Sequence, residues 1–238
     1  MLSRLLIVFT HRTHSDTFHN GAGFDLHART TIESFYSFVE SGALRIGNNI
    51  LEIGRKAMFL NGSKFTKDDL PITFGDNDFE YKVLLREENE ENLRIKVVLG
   101  QDSAVIFTFY KHFLHIKVSG NSKDFYDSVG LMGDFHTGAW RARDGSLVST
   151  FDEFGLEWQV RPTDAQLFRD KRSPQLPAEQ CRMPSTTGSI SRRMLRADKA
   201  LVEEATTACV GAGHVRKNLD LCIQDVVATG HVGLANAW

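Results

Sequence analysis

Few side chains in this chain of 238 residues stand at spacings that could do chemistry, and they are scattered. Asp76-Asn77-Asp78, with Glu80 and with Glu87 at the twelfth place, has the start of a calcium loop. Tyr81, however, stands where such a loop needs glycine, and Lys82-Val83-Leu84-Leu85 alternates like a strand, so a solvated hairpin turn is the favoured reading. His11 and His14 would face one another only on a helix. Their neighbours Thr10, Thr13 and Thr17 favour extended chain, and zinc is not expected there. Asn61-Gly62-Ser63 is a formal glycosylation sequon at Asn61, and Asn-Gly is equally the preferred pair for a type I′ hairpin turn. Gly130 and Gly133 suit a sharp reversal that puts the Asp134 carboxylate on a turn. Three cysteines, Cys181, Cys209 and Cys222, leave two arrangements open: three reduced thiols, which is favoured, or a Cys209–Cys222 bridge with Cys181 left over.

The motifs of catalysis are missing: no Gly-x-Ser-x-Gly elbow, phosphate loop, dinucleotide fingerprint or His-Glu-x-x-His. The chain is therefore not expected to be an enzyme, and a hydrolase with a spatially assembled site is the least favoured alternative. A net charge of -2 offers no field to draw in nucleic acid. No apolar run approaches the length of a bilayer crossing, so no transmembrane segment is expected.

The elements that must carry these residues are mostly strands. From Phe24 to Val118 the hydrophobic pattern has period two, broken about every ten residues by turn residues. Leu93, Ile95, Val97 and Leu99 share one face; Val105, Phe107 and Phe109 share another, as do Leu114, Ile116 and Val118. Shorter strands are expected around Tyr36/Phe38, Leu44/Ile46, Leu51/Ile53 and Met58/Leu60, separated by Ser41-Gly42, Gly47-Asn48-Asn49 and Gly54. Met1 to Phe9 reads as a strand, being too short and lacking a cleavage site for a convincing signal peptide. Phe154, Gly155, Trp158 and Val160 read as the start of a further strand. The expected fold is mainly β, an antiparallel β-sandwich over residues 1–161. A linker or extended wrap follows over 162–188, then a small C-terminal α-helical appendage over 189–238. In that tail Ser189 or Ser191 would cap a helix reaching Cys209. Asn218 would cap a second, with Leu219, Cys222, Ile223 and Val226 as its stripe and Gly230 at its end.

The stretch from Val129 to Val160 resembles the von Willebrand factor type D domain. That family joins a Cys-Gly-Leu-Cys-Gly-Asn-aromatic turn, through an acidic loop and an Asp-Gly, to Phe-Gly-x-x-Trp-x-Val. The matching positions are Gly130, Leu131, Gly133, Phe135, Asp144, Gly145, Phe154, Gly155, Trp158 and Val160. The paired cysteines are replaced by Val129 and Met132, which removes the thiol chemistry of the motif, and the asparagine is replaced by Asp134. The family's Gly-Asp-Pro-His-Tyr opening is absent, and the chain is expected to begin partway into the module. The resemblance implies a non-catalytic adhesion or matrix-assembly module, extracellular or at the cell surface, that contacts other proteins or associates with itself. It also implies a calcium ion, with Asp134, Asp144 and Asp152 as its candidate ligands; the loop over residues 136–143 is basic where the family's is acidic, so the favoured reading is that Asp134 accepts hydrogen bonds from turn amides. A lipid- or glycan-binding β module, using an apolar groove between sheets, is the alternative.

Overall fold

A computed structural model of the chain describes residues 4–11, 24–33, 36–75, 80–88, 92–111, 113–121, 124–125, 128–161, 163–170, 199–215 and 217–237, with the backbone alone at a few of them. Among the described residues there are twelve strands: β1 Arg4–His11, β2 Phe24–Glu33, β3 Tyr36–Ile46, β4 Asn49–Gly54, β5 Met58–Leu60, β6 Ser63–Phe65, β7 Ile72–Gly75, β8 Glu80–Glu88, β9 Asn92–Val98, β10 Ala104–Tyr110, β11 Phe113–Ser119 and β12 Ser128–Val129. Three α-helices follow among the described residues, α1 Phe151–Glu157, α2 Lys199–Gly211 and α3 Lys217–Thr229. Among the described residues the strands form a seven-stranded sheet, β12-β1-β2-β3-β4-β5-β6, and a five-stranded sheet, β11-β10-β9-β8-β7. All their ladders are antiparallel.

The period-two pattern puts alternate side chains between the sheets. Phe24, Leu26 and Ala28 of β2, Leu44 and Ile46 of β3, and Leu51 and Ile53 of β4 meet Leu93, Ile95 and Val97 of β9 and Val105, Phe107 and Phe109 of β10 in one core. Each fully buried Phe, Leu or Ile there contributes about 1.5–3 kcal/mol, enough for this layer to cohere without a covalent staple. The expected β-sandwich with its helical appendage is what the chain forms.

Three details differ from expectation. Ser41-Gly42 does not separate two strands, because β3 runs through it unbroken. The glycine is there for packing: a Cβ at Gly42 would sit 2.5 Å from the Phe107 ring. The Phe154–Trp158 segment is helix α1 and its C-cap, not a strand. A strand would turn residues 154, 156 and 158 to one face, yet Phe154 and Trp158 are buried while Leu156 is half exposed. Spacing of four satisfies them, and Thr150 caps the helix by accepting from the Glu153 amide. In the tail, α3 begins at Lys217, so Asn218 lies within its first turn rather than before it. Ser189, Ser191 and Cys181 lie outside the described residues.

Each sheet's outer face carries a second layer. Over the seven-stranded sheet, Val129, Phe154, Trp158, Val160, Leu167 and Phe168 pack with Ala43. Over the five-stranded sheet, Ala205 and Cys209 of α2, Cys222 and Val226 of α3, Leu234 and Ala235 pack on Tyr110 and Phe113. Leu219 and Ile223 complete the expected stripe of α3, and Gly230 ends it at φ +71° with its amide on the Val226 carbonyl.

Candidate functional site

The glycine-rich turn closes as its spacing requires. The Gly133 amide donates to the Gly130 carbonyl at 2.8 Å, and Gly133 has φ +88°. Asp134 then organises the next loop. One carboxylate oxygen accepts from the amides of His136 (3.0 Å) and Thr137 (2.8 Å), the other from Arg141 Nε (3.1 Å). Burial works to raise the Asp134 carboxyl, but the hydrogen bonds from Thr137, Arg141 and His136 outweigh it and hold the group below its ordinary value.

Arg141 also donates to the Gly145 carbonyl at 3.1 Å, so one guanidinium meets two of the oxygens that a cation would have to gather. The Asp144 carboxylate is turned to Ser146, accepting from its amide (2.8 Å) and hydroxyl (2.7 Å). The Asp152 side chain lies outside the described ones. Among the described residues no three His, Cys, Asp or Glu side chains converge as metal ligands. Calcium asks for six to eight oxygens, and a loop whose central carboxylate is bound to arginine does not fit it.

Trp158 seals the block. Its indole is 1% exposed and donates to the Arg141 carbonyl at 2.9 Å, while Trp140 stacks on Phe154 with ring centres 5.6 Å apart. Arg143 ties the remaining ends together. It donates to the backbone carbonyls of Glu157 (2.9 Å) and Gln159 (2.7 Å) and to both oxygens of Asp164 (2.8 and 2.9 Å). Burial raises Asp164, and the Arg143 fork with the Arg161 amide more than reverses this, leaving it below the usual carboxylate range.

Beneath this block lies a polar face of β2 that sequence reading missed. Phe24, Leu26 and Ala28 point into the core, so Asp25, His27 and Arg29 point outward, the opposite parity being the signal that was available. Asp25 pairs with Arg45. Arg29 reaches the Asp170 carbonyl and lies over the Phe168 ring at 4.2 Å. Glu52 accepts from the Arg169 amide at 2.8 Å. His27 is 4% exposed, and its Nδ1 has no hydrogen-bond partner among the described residues. Burial lowers its pKa to about 4, with Arg45 and Arg143 adding and Asp25 and Asp164 opposing.

The other predicted residues are placed far apart in sequence and role. Asn61 and Gly62 form the hairpin turn at φ +50° and +84°. The exposed Asn61 side chain accepts from the Ile50 amide (2.8 Å) and donates to Asn49 Oδ1 (2.9 Å). Cys209 and Cys222 are bridged, with Cα atoms 6.0 Å apart, which overturns the favoured reading of three reduced thiols. Facing helices supplied the geometry that spacing alone could not. His14 and residues 76–78 lie outside the described residues, as do the side chains of His11 and Glu87; β7 and β8 pair across residues 76–79, with Gly75 opposite Glu80.

Compared with known proteins, the chain matches no family model and no curated protein.

Proposed function

We propose that this chain is a non-catalytic, extracellular-type binding module, similar to a von Willebrand factor type D domain, that works in adhesion or matrix assembly through protein contacts. The observation that carries this reading is where large apolar side chains meet solvent. Of the nine exposed large apolar side chains among the described residues, Met132, Trp140, Leu147 and Leu156, at 53, 39, 71 and 50%, belong to the block that resembles the family's characteristic segment, the others being Leu85 and four in the helical tail. That block is held by the Asp134, Arg143 and Trp158 hydrogen bonds, so it presents its apolar side chains on a fixed frame, as a contact surface does. The Cys209–Cys222 bridge supports the extracellular assignment, since disulfides persist in oxidising compartments.

Sedimentation over a concentration series, together with retention on immobilised matrix glycoproteins, tests the reading. The wild-type chain should associate in at least one of these assays. The Leu147→Lys, Leu156→Lys double variant should melt at the same temperature and lose the association. A wild-type chain that stays monomeric and is not retained would end the proposal.

A further inference from the structure

The registers of the five-stranded sheet place its basic residues together on the outer face. Lys96 of β9, Ile106 of β10 and Lys117 of β11 form one cross-strand row; Arg94, Thr108 and His115 form the next. Two inter-strand spacings put Lys96 and Lys117 about 10 Å apart, and two residues along a strand put the rows about 7 Å apart. Lys82 and Leu84 of β8 continue the face, with Leu84 opposite Lys96. Among the described side chains the acid on it is Glu80, paired with Lys82 at 2.8 Å; the backbone of Glu87 stands opposite Arg94 in the ladder. Lys117 and Lys82 are exposed, and Lys96 and Arg94 are half-buried, their stems covering the apolar rows.

This strip lies at the foot of the helical tail. Tyr110 and Phe113, one row beyond Thr108 and His115, are covered by α2 and α3, and Arg94 donates to the Asn236 carbonyl at 3.1 Å. A helix about 10 Å across standing on the same face makes a step. A planar bilayer would be held off by that step, whereas a linear chain can lie along it.

We infer that the basic strip of Lys82, Arg94, Lys96 and Lys117 is a docking surface for a linear sulfated polysaccharide. Its cations are spaced to meet successive anionic groups, and the partly exposed Ile106 offers an apolar floor between Lys96 and Lys117, while Thr108 in the next row is buried and adds no contact. The strip is on the opposite outer face from the Trp158 block, so the proposal goes beyond the protein-contact reading and either can fail alone.

The test is titration of the full chain with heparin by surface plasmon resonance at two salt concentrations, beside neutral dextran and phosphatidylserine vesicles. Heparin should bind, dextran should not, and added salt should weaken the complex. Lys96→Glu with Lys117→Glu should weaken binding at least about tenfold, while the control pair Lys56→Glu with Lys64→Glu should leave it intact. Should the charge reversal lower the melting temperature, Lys96→Gln with Lys117→Gln keeps the size and removes the charge, and must still weaken binding. No heparin binding, equal binding by either strip variant in its folded form, or binding to vesicles alone would each overturn the inference.

Discussion

Two histidines, the buried His27 and the half-buried His115, give the molecule a pH signature. His27 is lowered to about 4 by burial, with Arg45 and Arg143 adding and Asp25 and Asp164 opposing; His115 is lowered to about 4 by burial, then by Lys117, His214 and Arg94. In the unfolded chain both titrate near 6.5. The fold holds them neutral, so their contribution is complete above that value. As the pH falls from 6.5 toward 4 the unfolded chain takes up protons that the fold refuses, and each histidine costs about 1.4 kcal/mol per pH unit. The lowered Asp134 and Asp164 act in a separate, more acid window, where their protonation removes the Arg141 and Arg143 contacts. Urea melts across this range should show the loss, and His27→Gln should flatten its slope by about half. A midpoint constant between pH 6.5 and 4.5 would show that the imidazoles are not held this way. Of these residues the sequence made Asp134 legible through its two glycines. His27 was hidden because its surroundings include Arg143 and Asp164, residues more than a hundred positions away.

At the scale of elements, α1 shows where pattern reading fails. Seven residues are too few for periodicity to separate helix from strand, and two aromatic residues suggested a sheet. The deciding signal was the Thr150-x-x-Glu153 pair, a capping sequence just before the aromatic run. Thr150→Ala should destabilise the chain by about 0.5–2 kcal/mol, read as a lower denaturation midpoint. Thr150→Asp should restore most of it. If the alanine variant melts unchanged, the cap does not secure α1. Strands β9, β10 and β11 were legible because one face of each is buried between sheets, whereas the four residues of β7 are too few to show a period. The second helix of the tail was legible for the same reason: Leu219, Cys222, Ile223 and Val226 form a stripe against a sheet.

The whole molecule is layered: two sheets around one core, with the Val129–Asp170 block on one outer face and the helical tail on the other. Among the described residues no helix is long and apolar enough to cross a membrane. The layering bears on the metal question. A calcium ion binding only the folded form, supplied at about a hundred times its dissociation constant, adds about 2.7 kcal/mol, and in a domain of this size each kcal/mol moves the melt by about 2–4 °C. Since Arg141 already occupies the Asp134 carboxylate, melts in calcium and in chelator should superimpose. A shift of several degrees would mean that the loop rearranges to take the ion. The sandwich was readable from alternation alone, whereas what covers each outer face was not, because those contacts join residues more than a hundred positions apart.

The missing side chain at Gly42 has a consequence for how the two sheets find their alignment. Phe107 meets β3 at Gly42, where any Cβ would stand 2.5 Å from the ring, while the flanking Ser41 and Ala43 alternate to the other face. Sliding β3 by one residue would also turn its apolar side outward. The notch and its aromatic key therefore act as a detent that favours the offset at which ring and gap coincide.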